Sequence, residues 1–167
     1  GALLEASGNM RIVMSDFFTV SGGFALSKAN SRLTLNDGAV VDVDLLTVGA
    51  AGVDAFAGLN GGTENALGLR LSDVTFALVL AGDQADATRH WSTLSATAVG
   101  AAFVGLPAMS VAAGNMSVAV NRAAADGTLV DYLAQNLVVS TGPSSDIRLA
   151  LDGAAGELTQ ASGAVAL

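Results

Sequence analysis

The sequence predicts an all-β protein: an elongated repeat β-structure, β-solenoid-like or built of stacked sheets, with a β-sandwich module as the second arrangement it allows. Three observations carry this. Apolar residues recur with period two along most of the chain. Gly-, Asn- and Asp-marked turn signals separate the alternating runs. The two ends of the chain resemble each other, as units of a repeat do.

The alternation is read element by element. Leu33 and Leu35 alternate with Arg32 and Thr34. In Val41-Asp42-Val43-Asp44-Leu45 the apolar residues fall on one face and both Asp on the other. Phe76, Leu78 and Leu80 share a face, with Ala77, Val79 and Ala81 on the second. Met116, Val118 and Val120 form another alternating run, as do Ile147, Leu149 and Leu151. Turns are expected at Ser21-Gly22-Gly23, Asn36-Asp37-Gly38, Asn60-Gly61-Gly62, Gly142-Pro143 and Asp152-Gly153. Asn-Gly and Asp-Gly pairs tolerate positive φ at little cost. Helical spacing is weak. Leu129, Leu133 and Leu137 lie four apart, but Leu129–Tyr132 matches an alternating segment near Asp37 and is read as strand. The polar stretch Gly82–His90 is expected to be a loop or one helical turn. Strands apolar on both faces, such as Phe76–Ala81, favour stacking, because sandwiches present a more polar outer face.

Composition narrows the partners. The chain has 167 residues, 51% hydrophobic and only 13% charged, with no Cys. So apolar a chain is expected either to cover both strand faces internally or to pack its outer face on neighbouring copies. The net charge is −8, with Lys28 the single lysine, so nucleic acid and anionic membranes are poor partners. No apolar window reaches the roughly 18 residues of a spanning helix, so no membrane span is expected. No signal-peptide pattern opens the sequence.

Residues 1–167 are read as a single β-repeat module with self-similar ends. Residues 3–12, Leu-Leu-Glu-Ala-Ser-Gly-Asn-Met-Arg-Ile, lie on residues 158–167, Leu-Thr-Gln-Ala-Ser-Gly-Ala-Val-Ala-Leu. Leu, Ala, Ser and Gly coincide, and Met10 and Ile12 fall on Val165 and Leu167. One unit of a tandem array with a period of about 155 residues would look like this. Inside the chain, Ser7–Val13 echoes Ala113–Ala119, and Asp37–Asp42 echoes Asp126–Asp131.

Val20-Ser21-Gly22-Gly23-Phe24-Ala25-Leu26, the run Leu46-Thr47-Val48-Gly49 through Phe56-Ala57-Gly58, and Leu71–Leu78, with Ala-Ser-Gly near both ends, carry a family resemblance. They resemble β-strand repeat modules of very large bacterial extracellular and surface proteins, haemagglutinin-like and adhesin-like. The resemblance implies an extracellular or cell-surface location, tandem arrangement and a structural or adhesive role. It implies no catalytic residue.

Catalytic chemistry finds little support. A serine triad needs a histidine base, and His90 stands alone beside the single Trp91, with no Gly-x-Ser-x-Gly elbow. Gly58-Leu59-Asn60-Gly61-Gly62 lacks the lysine of a phosphate loop. Asp42 and Asp44 share a strand face about 7 Å apart, without the aromatic platforms of a glycosidase cleft. The chain is therefore read as a non-enzyme without a cofactor. Calcium is the one metal to weigh, since it takes carboxylate and carbonyl oxygens. Its candidate ligands are Asp37 with Asp42 and Asp126 with Asp131, and also Asp83 with Asp86.

Two functions follow. In the first, the module is structural or adhesive and joins copies of itself or neighbouring repeats edge to edge in a fibre or stalk. Met10, Ile12, Val165 and Leu167 then lie at the joint. In the alternative it is a carbohydrate- or calcium-dependent adhesin module, binding surface glycans through a loop holding Asp83, Asp86, His90 and Trp91.

Overall fold

A computed structural model describes residues 3–14, 18–105 and 112–166. The fold is all-β, as the alternation predicts. Seven strands form one antiparallel sheet in the order β1-β2-β3-β4-β5-β6-β9, which does not close into a barrel. They are β1 (Leu4–Met14), β2 (Phe18–Thr34), β3 (Val40–Leu59), β4 (Leu67–Asp83), β5 (His90–Val104), β6 (Ala112–Arg122) and β9 (Leu158–Ala166). Two short strands, β7 (Val138–Gly142) and β8 (Ser145–Arg148), form a separate hairpin. The described residues contain no α-helix; a single 3-10 turn spans Gly153–Ala155.

Strand length sets the architecture. β3 has 20 residues, β2 and β4 have 17 each, against a usual strand of roughly five or six. At about 3.4 Å per residue β3 spans about 65 Å. One excursion between β6 and β9, residues 123–157, folds over one face of this sheet and covers only the half nearest the 35–39 and 84–89 turns. There Leu33, Leu35, Val43, Leu45, Val79 and Trp91 pack against Val130, Tyr132, Val139 and Leu149. The alternation at Val41–Leu45 thus points its apolar set into a core. Alternate residues of the same strands point the other way. Leu26, Val48, Leu78, Leu94 and Val120 form one register row across five strands on that second face. No second layer of the described residues covers it, and Leu26 remains 38% exposed.

Close approach decides where the cover sits. A Cβ on Gly49 of β3 would lie 2.1 Å from the Ser140 carbonyl oxygen of β7. Glycine there lets the hairpin backbone rest directly on the sheet. A buried polar chain ties another part of the cover, residues 130–132, to β5 and β6. Tyr132 donates to Thr93 Oγ1 (2.8 Å), Thr93 to Asn121 Oδ1 (3.0 Å), and Asn121 Nδ2 to the Val130 carbonyl (3.0 Å). All three side chains are buried, so each needs its partner. Burial pushes the Tyr132 hydroxyl up to about 12, against a lowering pull from Thr93.

Two expectations from the sequence change here. Ser21-Gly22-Gly23 is not a turn but lies inside β2, at a bulge between Ser21 and Gly23. A Cβ on Gly22 would stand 2.8 Å from Val53, so glycine answers to a crowded neighbour rather than a chain reversal. Leu129–Tyr132 is extended but pairs only through the bridge Leu35–Val130. Bulges also occur at Gly52-Val53, Ser72-Asp73 and Asn115-Met116. Gly52, Asp73 and Asn115 there take positive φ. These sites line up across the sheet and divide the covered half from the bare half.

Candidate functional site

Three places gather the residues that the sequence singled out: the 83–90 loop, the aspartate turns, and the two edges of the large sheet.

The loop between β4 and β5 is fastened inward. Asp83 Oδ1 accepts the N–H groups of Ala85 (2.7 Å) and Asp86 (3.3 Å), and Asp83 Oδ2 accepts from Arg89 Nη1 (2.8 Å). Arg89 Nε lies 2.8 Å from Asp126 Oδ2, and its guanidinium sits 5.1 Å from the Trp91 ring centre. Trp91 is 2% exposed, and its indole N–H donates to the Thr128 carbonyl (3.0 Å). The Asp83–Arg89–Asp126 bridge therefore latches the loop to the 124–128 turn, and Trp91 is a core residue with no ring face for a sugar. His90 opens β5 on the surface, beside Gly82. An open depression on the second sheet face is lined by Lys28, Asp44, Leu46, Leu80, His90 and Ser92.

The aspartates serve turns. Asp37 Oδ1 accepts the Ala39 N–H (2.9 Å), and Asp126 Oδ1 accepts the Thr128 N–H (3.0 Å). Gly38 and Gly127 both have φ +83, so the similar Asp-Gly segments build the same turn twice. Asp42 pairs with Arg32 across β2 and β3 (3.0 Å). Asp131 Oδ1 accepts the N–H groups of Leu133 and Ala134. Asp86 Oδ1 accepts from both the hydroxyl and the N–H of Thr88. The Thr88 hydroxyl and amide hold Asp86 below the usual carboxylate range, and those of Thr128, with Arg89, do the same for Asp126. Among the described residues no three His, Asp or Glu side chains converge as metal ligands. Asp37 and Asp42, and Asp126 and Asp131, are used separately.

The sheet edges hold the remaining candidates. β1 pairs with β2 on one side only, and β9 pairs with β6 on one side only. Among the described residues no strand pairs with their outer sides, the arrangement that templates a further strand. Both edges expose apolar side chains, Leu4 at 60%, Val13 at 55% and Val165 at 70%, and β1 also carries exposed Glu5 and Arg11. Met10 and Ile12 lie on β1 and Val165 on β9, at opposite edges of one sheet. Leu167 lies outside the described residues. No protein-family model, no curated protein and no solved structure matches this chain. Among the described residues no helix is long and apolar enough to cross a membrane, which says nothing of strands.

Proposed function

We propose that this chain is a structural repeat module of a bacterial extracellular or surface protein, whose sheet is continued by neighbouring copies at both edges. The observation that carries the proposal is the pair of open edges, β1 and β9, at the two ends of one long antiparallel sheet, with exposed apolar side chains on both and charges, Glu5 and Arg11, on β1 alone. Ordinary proteins blunt such edges with charges, prolines or covering loops. Here β9 has neither a charged residue nor a proline, and every one of its residues from Thr159 to Ala166 is exposed. The bare half of the sheet supports the same role. An isolated globular domain gains nothing from strands that outrun their cover, whereas a scaffold built by adding strands gains length.

The test is sedimentation velocity of the chain across a concentration series, with Met10→Lys and Val165→Lys beside it. The native chain grows into longer species as concentration rises. Either lysine, placed on an edge strand, stops growth while leaving the melting temperature of the monomer nearly unchanged. Equal growth in both variants would refute edge-to-edge assembly.

A further inference from the structure

We infer that β9 of one copy and β1 of the next are a single strand, so that each copy in an array adds six strands to one unbroken sheet. This presupposes the array proposed above and names how its copies join. Three observations lead to it.

The first is the superposition of residues 158–167 on residues 3–12, a spacing of 155 from Leu3 to Leu158. These are the two strands that border the large sheet. Among the described residues each lacks a neighbour on the side where the other has one: β1 pairs with β2, and β9 with β6. One strand in both roles has both sides filled and leaves no edge.

The second is the register. Crossing the sheet from Ala6, the partners are Leu26, Val48, Leu78, Leu94, Val120 and Thr159. Thr159 is the counterpart of Leu4, two positions before the start. Beyond the line of bulges, the path from Ile12 runs through Val20, Ala55, Leu71, Ala101 and Ala113 to Val165, the counterpart of Met10. The offset is again two. An odd offset would turn every side chain of the next copy to the opposite face. The even offset, the same on both sides of the bulges, keeps the covered face continuous from copy to copy.

The third is a glycine without a local cause. A Cβ on Gly163 would stand 3.0 Å from Met116 Cγ, where β9 passes the bulge at Asn115-Met116. Its counterpart Gly8, on β1, has nothing within 4 Å of such a Cβ. If β1 occupies the place of β9 beside the preceding copy, Gly8 meets that copy's Met116, and its lack of a side chain is accounted for.

The absence of cysteine makes the test clean. Ser117 and Ser162 are register partners with their hydroxyls 2.7 Å apart, and paired strand positions suit a disulfide. The single chain carrying Ser117→Cys and Ser162→Cys serves as the reference and oxidises readily. The test chain joins residues 1–157 directly to residues 3–167 of a second copy, with Ser117→Cys in the first copy and Ser7→Cys in the second. Shared-strand continuity predicts near-complete loss of free thiols and, by X-ray scattering, one rigid body. Free thiols in a rigid body would overturn the shared strand while leaving the array proposal standing. Free thiols in two bodies that tumble independently would overturn both. Gly8→Val supplies a cysteine-free check. In the single chain, with open space around it, it raises the melting temperature or leaves it unchanged, and in the second copy of the joined chain, where Met116 must give way, the change is less favourable. No difference between the two settings would contradict the shared strand.

Discussion

The two halves of the large sheet share the same strands and differ in what lies over them. In the covered half, Leu33, Val43, Val79 and Trp91 are at most 2% exposed beneath residues 123–157. Towards the other end of the same strands, Leu59 is 47% exposed, Val99 59% and Phe103 50%, although Leu59 and Phe103 stay in register with Leu67 and Leu69. Past the line of bulges Phe56, against Gly61, and Ala66 are the buried side chains among the described residues, so strand pairing with little packing carries the sheet well past its core. The difference separates two jobs: the covered half stabilises the module, and the bare half together with the edges gives it reach. Substitutions of one kind placed in both halves should therefore differ in cost.

The largest effect is expected where the cover touches the sheet backbone. Gly49→Val forces a side chain into the Ser140 carbonyl, and the hairpin must lift away. A loss above about 4 kcal/mol in urea titration is expected, since backbone on both sides prevents local relief. Leu33→Ala, in the core, is expected to cost about 3 kcal/mol. Leu59→Ala, in the bare half, should stay within about 0.5 kcal/mol. Equal costs at Leu33 and Leu59 would abolish the distinction between the halves.

Tyr132 gives the division a pH signature. Its hydroxyl is raised from 10.0 to about 12 in the folded chain. The unfolded chain ionises first, so the associated stability is complete below pH 10 and is lost as pH rises towards 12. About 2–3 kcal/mol is at stake over that window. Tyr132→Phe should remove this part of the alkaline loss, read as melting temperature against pH. The smallest effect is expected at Val99→Thr, which adds a hydroxyl to an exposed strand face and should change stability by no more than about 0.5 kcal/mol.

The all-β class and several turns were legible in the sequence, and the reasons the reading stopped there are physical. The period-two runs at Val41–Leu45 and Phe76–Ala81 gave the all-β class, because a pleated strand repeats its side-chain direction every second residue. The Asp37-Gly38 and Asp126-Gly127 turns were readable from residue type. Strand length was not. Ser21-Gly22-Gly23 carries a turn's composition, yet it is glycine-rich because Val53 crowds it from the next strand. Trp91 sits beside a polar loop in sequence, and only the latch from Asp83 through Arg89 to Asp126, joining segments far apart in the chain, seals it inside. Nor does alternation reveal which half of a strand a distant excursion will cover. The self-similar ends were visible as a pattern, whereas the offset of two residues emerges only once every strand is in register.

Continuity of the sheet from copy to copy can be read from the length, by X-ray scattering, of chains carrying one, two and three copies joined at the 155-residue spacing. Six strands about 4.8 Å apart predict a rigid body that grows by about 29 Å along the sheet with each copy. A rigid body that lengthens by a clearly different step would mean copies docked without a shared strand. Bodies that tumble independently, with no fixed increment, would contradict the continuous sheet altogether.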